Sequence, residues 1–180
     1  MKKSITFLIF LFFALVSFAD DQFEVGAAAG PSYPLAGSDF KSVAKKGNNQ
    51  NYWIGYGLED NMGVELGVDI FDFDQVDIHH QAIQLSGVYH FAGPSSLQPF
   101  IKIGAGTVYS NLGGASLNAF GGKMVAGFEC ELKNISIGGM VNYYFISKAG
   151  DADSLKNIQV VAPAIFITLH DIFRDEKPIR

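Results

Sequence analysis

The stretch Met62-Gly63-Val64-Glu65-Leu66-Gly67-Val68-Asp69-Ile70-Phe71 decides how the rest of the chain is read. Val64, Leu66, Val68 and Ile70 fall on one side of an extended chain, and Gly63, Glu65, Gly67 and Asp69 fall on the other. Successive strand side chains point to opposite faces, so this period of two defines a strand with one apolar and one polar face. The pattern repeats in both directions. Val25, Ala27 and Ala29 alternate with Glu24, Gly26 and Ala28, and Ile101 and Ile103 alternate with Lys102 and Gly104. Phe120, Met124 and Phe128 alternate with Gly121, Lys123 and Glu129 in the same way. Eight strands are predicted, about 22–31, 51–58, 62–73, 79–91, 98–109, 118–132, 135–147 and 157–171. Most are about as long as the ~9–11 residues that cross a bilayer at a tilt.

The first residues read differently. Lys2 and Lys3 precede an apolar run from Ile5 to Phe18, and Ser17-Phe18-Ala19 places small residues where a signal peptidase reads them. This is the pattern of a secretory signal peptide, and the run is shorter than the ~20 residues of a membrane-spanning helix. Residues 1–19 are therefore expected to be removed near Ala19, leaving 20–180 as one β domain. Loss of Lys2 and Lys3 takes the net charge from −5 to −7, which excludes a generally basic nucleic-acid binder. One cysteine, Cys130, excludes an intramolecular disulfide and any zinc site built on cysteines.

The predicted links alternate in character. Short ones follow strands two, four and six, at Glu59-Asp60-Asn61, Ala92–Leu97 and Lys133-Asn134. Longer or more polar ones follow strands one, three, five and seven, at 31–50, 74–78, 110–117 and 148–156. Short turns at one end and long loops at the other are the layout of an outer-membrane barrel, and an even strand count leaves both termini at the short-turn end. The non-apolar face is mostly Gly, Ala, Ser and Asn, which suits a narrow interior filled by side chains. Trp53 falls on this face as a packing residue. So do charges of both signs: Glu24, Glu65, Asp69 and Glu129 against Lys102 and Lys123. Isolated charges in a dry interior are costly, so Glu24, Glu65, Lys102, Lys123 and Glu129 are expected to form an ion-pair cluster, with Lys102 meeting Glu129. Phe23, Tyr52, Phe91, Tyr109, Phe120, Tyr143 and Phe173 lie near strand ends on the apolar face, where interfacial girdles form.

These strands, the leader and the loop asymmetry resemble the small outer-membrane β-barrels of OmpA/OmpX type. The stretch Phe91-Ala92-Gly93 … Pro99-Phe100-Ile101-Lys102-Ile103-Gly104-Ala105-Gly106 is similar to their hairpin between the fourth and fifth strands. The resemblance implies an eight-stranded antiparallel up-and-down barrel in the outer membrane. It also implies lipid and lipopolysaccharide as surroundings and the barrel-assembly machinery as a partner in biogenesis. Two features depart from it: a polar tail, Arg174–Arg180, follows Phe173, and Pro163 removes a ladder donor from the last strand.

Candidate chemistry is sparse. Lipid A 3-O-deacylases resemble this chain around the same hairpin and carry a His-x-Ser-Asn motif late in the seventh strand. Here Ser147 matches the nucleophile but Phe145 stands in the place of the histidine. A serine hydroxyl needs an adjacent base. His79 and His80 are neighbours on a strand and point to opposite faces, so they do not readily grip one ion. Asp72, Asp74 and Asp77 lack the Gly and closing Glu of a calcium loop. Lys41, Lys45 and Lys46 make the first loop basic and could touch lipopolysaccharide phosphates. The chain reads as a non-enzymatic barrel with a structural or surface-interaction role, with no cofactor, no metal and no nucleic-acid partner. An outer-membrane lipid A deacylase and a soluble lipocalin-like binding barrel are the alternatives.

Overall fold

The computed structural model describes residues 23–36, 44–59, 61–73, 78–91, 97–112, 115–147 and 157–170. Eight strands run in chain order: β1 Phe23–Ala36, β2 Gly47–Glu59, β3 Met62–Phe73, β4 Ile78–His90, β5 Gln98–Leu112, β6 Ala115–Leu132, β7 Ile135–Ile146 and β8 Ile158–His170. Each pairs antiparallel with the next, and β8 pairs back onto β1, so the sheet closes into a barrel. Closure removes the unpaired edge that an open sheet would present.

The outer face is the apolar one. Leu85, Ile103, Phe120, Met124 and Ile165 all stand more than half exposed, between 57% and 75%. The opposite face carries Glu65, Asp69, Lys102, Lys123 and Glu129, all buried. A soluble barrel would put these two sets the other way round. Phe91 and Tyr109 stand exposed near strand ends and Tyr143 is half-buried near the end of β7, whereas Tyr52 and Phe120, exposed too, lie five residues inside the starts of the longer β2 and β6. Phe23 differs from the expectation: it is buried at the start of β1, opposite Tyr56.

Four strands, β1, β2, β5 and β6, are longer than the period of two indicates. β1 runs on through Pro31 to Ala36, and β2 begins at Gly47, so the expected 31–50 loop contracts to 37–46. A further correction is at 110–117, expected as a loop. The β5–β6 ladder continues to Leu112↔Ala115 and leaves only residues 113–114 as the link. Fifteen residues of β5 span roughly 50 Å at ~3.3 Å each, or about 35 Å along the axis at 45° tilt, against an apolar band of ~25 Å. Polar, exposed residues face outward at the 113–114 end of several strands: Asn48, Asp72, His79, Asn111 and Asn118.

Pro163 is accommodated by its partner. The β1–β8 register Ala29↔Ile165 and Tyr33↔Val161 brings Pro31 opposite Pro163, so two residues without a donor share one place in the seam. Each keeps its other neighbour, Pro31↔Asn48 and Pro163↔Val141. A bulge follows at Pro34/Ala36. Glycine serves close approach at Gly26, where the Trp53 indole occupies the space a Cβ would need. Residues 1–19, Ser42, Lys41, Asp74, Asp77, Ala152, Phe173 and the tail lie outside the described residues.

Candidate functional site

The interior is built in layers. At the end that carries the β6–β7 turn and the last described residue of β8, Lys102 Nζ donates to Glu65 Oε1 at 2.5 Å. The ammonium also lies 4.5 Å from the Trp53 ring centroid and 5.1 Å from that of Phe100. Glu129 lies 3.2 Å from His90 Nε2, and Glu24 lies 3.5 Å from His170 Nδ1. His170 Nε2 shares a 2.8 Å hydrogen bond with Ser136 Oγ. Three carboxylates and one lysine therefore meet two histidines.

An apolar layer follows, of Ala28, Trp53, Phe100, Val125, Met140, Ala164 and Phe166. Phe166 sets its ring edge-on to both Trp53 and Phe100, at 6.1 and 5.6 Å between centroids. Such pairs add to the burial of the rings themselves. Further along, Lys123 Nζ lies 3.1 Å from Asp69 Oδ2, and Asn51 Nδ2 donates to both Asp69 Oδ1 and the Tyr144 hydroxyl. Asn49 joins Asn51 at 2.8 Å. A second apolar layer, including Phe71, Phe73, Val108, Ile146, Ile158 and Val160, fills the far end.

The five cluster residues named from the sequence all face the interior, but the pairs differ from the one expected. Lys102 takes Glu65, and Glu129 takes His90. The β5–β6 register sets Gln98 opposite Glu129 and Val125 opposite Lys102, so Lys102 and Glu129 stand four residues, roughly 13 Å, apart along the strand direction. Lys123 belongs to the other polar layer, with Asp69. Sequence reading missed the histidines as interior partners, although His90 and His170 sit at interior positions of the same alternation.

The other candidates resolve individually. Ser147 Oγ donates 2.7 Å to the Phe120 carbonyl, and Phe145 points outward, 40% exposed. His79 faces Asp72 at 2.6 Å on the exposed side, while His80 is buried against Ser110 at 2.7 Å. Among the described residues no three His, Cys, Asp or Glu side chains gather where they could hold a metal ion.

An outward apolar face over a closed eight-stranded sheet defines a membrane barrel. A family model described as the outer membrane protein β-barrel domain matches residues 5–166, and the chain belongs to that family. It is an outer-membrane protein of the Gram-negative envelope, embedded among the lipids of that membrane. Among solved structures it is similar to neisserial surface protein A, with TM-score 0.68 and 16% identity over 82% of this chain and 96% of that one. It is also similar to OprG of Pseudomonas aeruginosa, with TM-score 0.53 and 16% identity over 83% and 95%. The outer-membrane enzyme PagL matches with TM-score 0.50 and 18% identity over 81% and 98%. At these identities the likeness is one of fold. Among curated proteins, no match was found.

Proposed function

We propose that the chain is a structural and surface-interaction barrel of the outer membrane, with a plugged lumen and no deacylase chemistry at Ser147. The observation that carries this reading is the interior. Two apolar layers rich in Trp, Phe, Val and Ile alternate with two ion-paired polar ones, and eight strands leave no width for an aqueous channel beside them. Ser147 supports it too, because its hydroxyl is engaged by a backbone carbonyl and not by a base. In this reading residues 1–19 are the export signal, 20–180 form the barrel, and the assembly machinery inserts it. The end bearing Lys45 and Lys46, both exposed, meets lipopolysaccharide at the cell surface.

Two measurements test this. Purified barrel in planar bilayers should give no stable conductance, and a steady open channel would overturn the plugged lumen. Vesicles containing lipopolysaccharide should retain a soluble probe of the first loop, and Lys45→Glu with Lys46→Glu should weaken that retention. Equal retention by the charge-reversed form would remove these lysines from the surface role.

A further inference from the structure

The outward face of β2 changes chemistry along its length. Read away from the end that carries the β6–β7 turn, its outward side chains are Ile54, Tyr52, Gln50 and Asn48, and exposed Lys46 stands just before the strand begins. The order is apolar, aromatic, amide, amide, ammonium. We propose that the outer wall around β2 is a lateral binding site for a lipopolysaccharide molecule, with an acyl chain in an apolar groove and the phosphorylated saccharide on a row of polar side chains next to it. This rests on the outer-membrane surface role above, with the Lys46 end outermost, and it places the contact on the wall of the barrel.

The register assembles the polar row. Asn48 pairs with Asp72, Asp72 with His79 and His79 with Asn111, and all four are exposed. Directly opposed side chains on neighbouring strands stand about 5 Å apart, so these four form one continuous surface. His79 Nδ1 and Asp72 Oδ1 share a hydrogen bond of 2.6 Å, which fixes the ring and leaves Asp72 Oδ2 and His79 Nε2 for a ligand. Amide, carboxylate and imidazole together offer donors and acceptors, which suits sugar hydroxyls, since each of those both donates and accepts. No lysine or arginine stands in the row, so it does not select a bare phosphate. Lys46, two residues beyond Asn48, supplies that charge at one end. The row is confined to one side of the barrel. At the same end of β1 and β7 the outward side chains are Tyr33, Leu35 and Phe145, exposed and aromatic or aliphatic.

The apolar part lies on the same outward face. A groove of about 490 Å³ crosses β8, β1, β2 and β3, lined by side chains including Val25, Ala27, Ile54, Leu66 and Ile167. On β2 and β3 it reaches as far as the directly paired Tyr52 and Val68. Gln50 is two residues beyond Tyr52 and Asn48 four, about 7 and 13 Å at ~3.3 Å each. The Tyr52 hydroxyl donates 3.0 Å to Gln50 Oε1, so the ring lines the groove and its hydroxyl begins the polar surface. Tyrosine, an apolar ring with a polar tip, is favoured at the boundary between hydrocarbon and headgroup. A groove for hydrocarbon and a row for hydroxyls that meet at one tyrosine fit a ligand that joins the two within a few ångströms. An acylated saccharide does so, whereas a phospholipid brings the chain without the sugar rings. Because the surface faces sideways from the wall, its occupant stands beside the barrel in the same membrane.

The test uses the full mature barrel folded into vesicles of phosphatidylethanolamine and phosphatidylglycerol that also contain lipopolysaccharide, with folding checked by heat-dependent gel migration. After extraction in mild detergent, native mass spectrometry reads which lipid stays on the protein. Wild type should keep lipopolysaccharide in preference to either phospholipid at equal concentration. Asp72→Ala with His79→Ala should lower that retention about tenfold, as the loss of two hydrogen-bonding side chains implies. Ala27→Phe, which fills the groove, should lower it too, and Asn134→Ala at the other end should leave it unchanged. Saccharide freed of its acyl chains should compete poorly, and full competition by it overturns the two-part site. Equal retention of phospholipid by wild type overturns the glycolipid as occupant, and that result needs no variant. Wild-type binding by Asp72→Ala with His79→Ala, alongside loss in Lys45→Glu with Lys46→Glu, overturns the wall site and leaves the surface role of the lysines standing. The reverse result supports the wall site without them. A protein dimer that Ala27→Phe abolishes and lipopolysaccharide does not displace makes this face a contact between two barrels and overturns the proposal.

Discussion

Lys102 holds Glu65 while its ammonium rests on the faces of Trp53 and Phe100, so it is tied to an opposite charge and to two rings at once. The pair is buried on both sides, at 8% and 4% side-chain exposure. Removing one member strands the other and typically costs about 3–5 kcal/mol, whereas replacing both by apolar groups of similar volume is often neutral. Lys102→Met should therefore destabilise strongly, and Lys102→Met with Glu65→Leu should recover much of the loss. Urea unfolding in lipid vesicles, read as a double-mutant cycle, measures the coupling. Lys102→Met with Glu129→Leu should show little coupling, and the reverse ranking would restore the pair expected from sequence. That pair was read from distances to strand ends, which a tilted barrel does not conserve. The ladder runs Glu65↔Ser86 and Ser86↔Gly104, and Lys102 stands two residues from Gly104, so the lysine reaches Glu65 across two small residues. Which charges face inward was legible in the alternation. Which of them touch depends on register, which the alternation does not encode.

The β5–β6 hairpin is an element that sequence reading shortened, by three residues on each strand. Ser110, Asn111, Gly113 and Gly114 have the composition of a loop, yet the ladder continues to Leu112↔Ala115. Inside the membrane one face must be apolar, so a strand announces itself as alternation. Beyond the bilayer that demand lapses, and a strand can carry polar residues on both sides, as Ser110 and Asn111 do here. β3 was legible almost residue for residue, expected at 62–73 and found at Met62–Phe73, because its whole outward face through Ile70 is apolar. Its two faces give an element-scale prediction. Val68 faces outward, and an arginine there meets lipid, at about 2–4 kcal/mol near the midplane of such barrels. Gly67 faces inward, and a Cβ built on it meets its nearest atoms, the Tyr52 carbonyl oxygen and Lys123 Nζ, at 3.4 and 3.8 Å, within ordinary contact. Refolding into vesicles should therefore be impaired for Val68→Arg and nearly normal for Gly67→Ser. Wild-type resistance to denaturant in Val68→Arg would reverse the assignment of faces.

For the whole molecule the strand count bears on direction. An even number of strands places Phe23 and His170 at one end, together with Asn61, the 91–97 link and the Lys133-Asn134 turn. The other end carries 37–46, 74–77, 113–114 and 147–157. In length these sets differ less than the sequence suggested, since 113–114 is as short as any turn below, so loop length alone is a weak argument for orientation. Delivery is the stronger one. A chain that arrives from the periplasm must translocate whichever loops end up outside. Leaving both termini behind requires only the four interstrand links at the far end to cross. On that argument the charged mouth, with Glu24, Glu65, Glu129, Lys102, His90 and His170, is expected to face the periplasm, and the polar strand ends near Asp72, His79 and Asn111 to project from the cell. Lys45 and Asn111 are exposed at the outer end, and Lys133 and Asn134 at the inner one. In a Cys130→Ser background, intact cells treated with a membrane-impermeant maleimide should label Lys45→Cys and Asn111→Cys. Asn134→Cys should label only after the outer membrane is made permeable. Labelling of Asn134→Cys on intact cells, with Lys45→Cys silent, would invert the barrel and place the charged mouth on the cell surface.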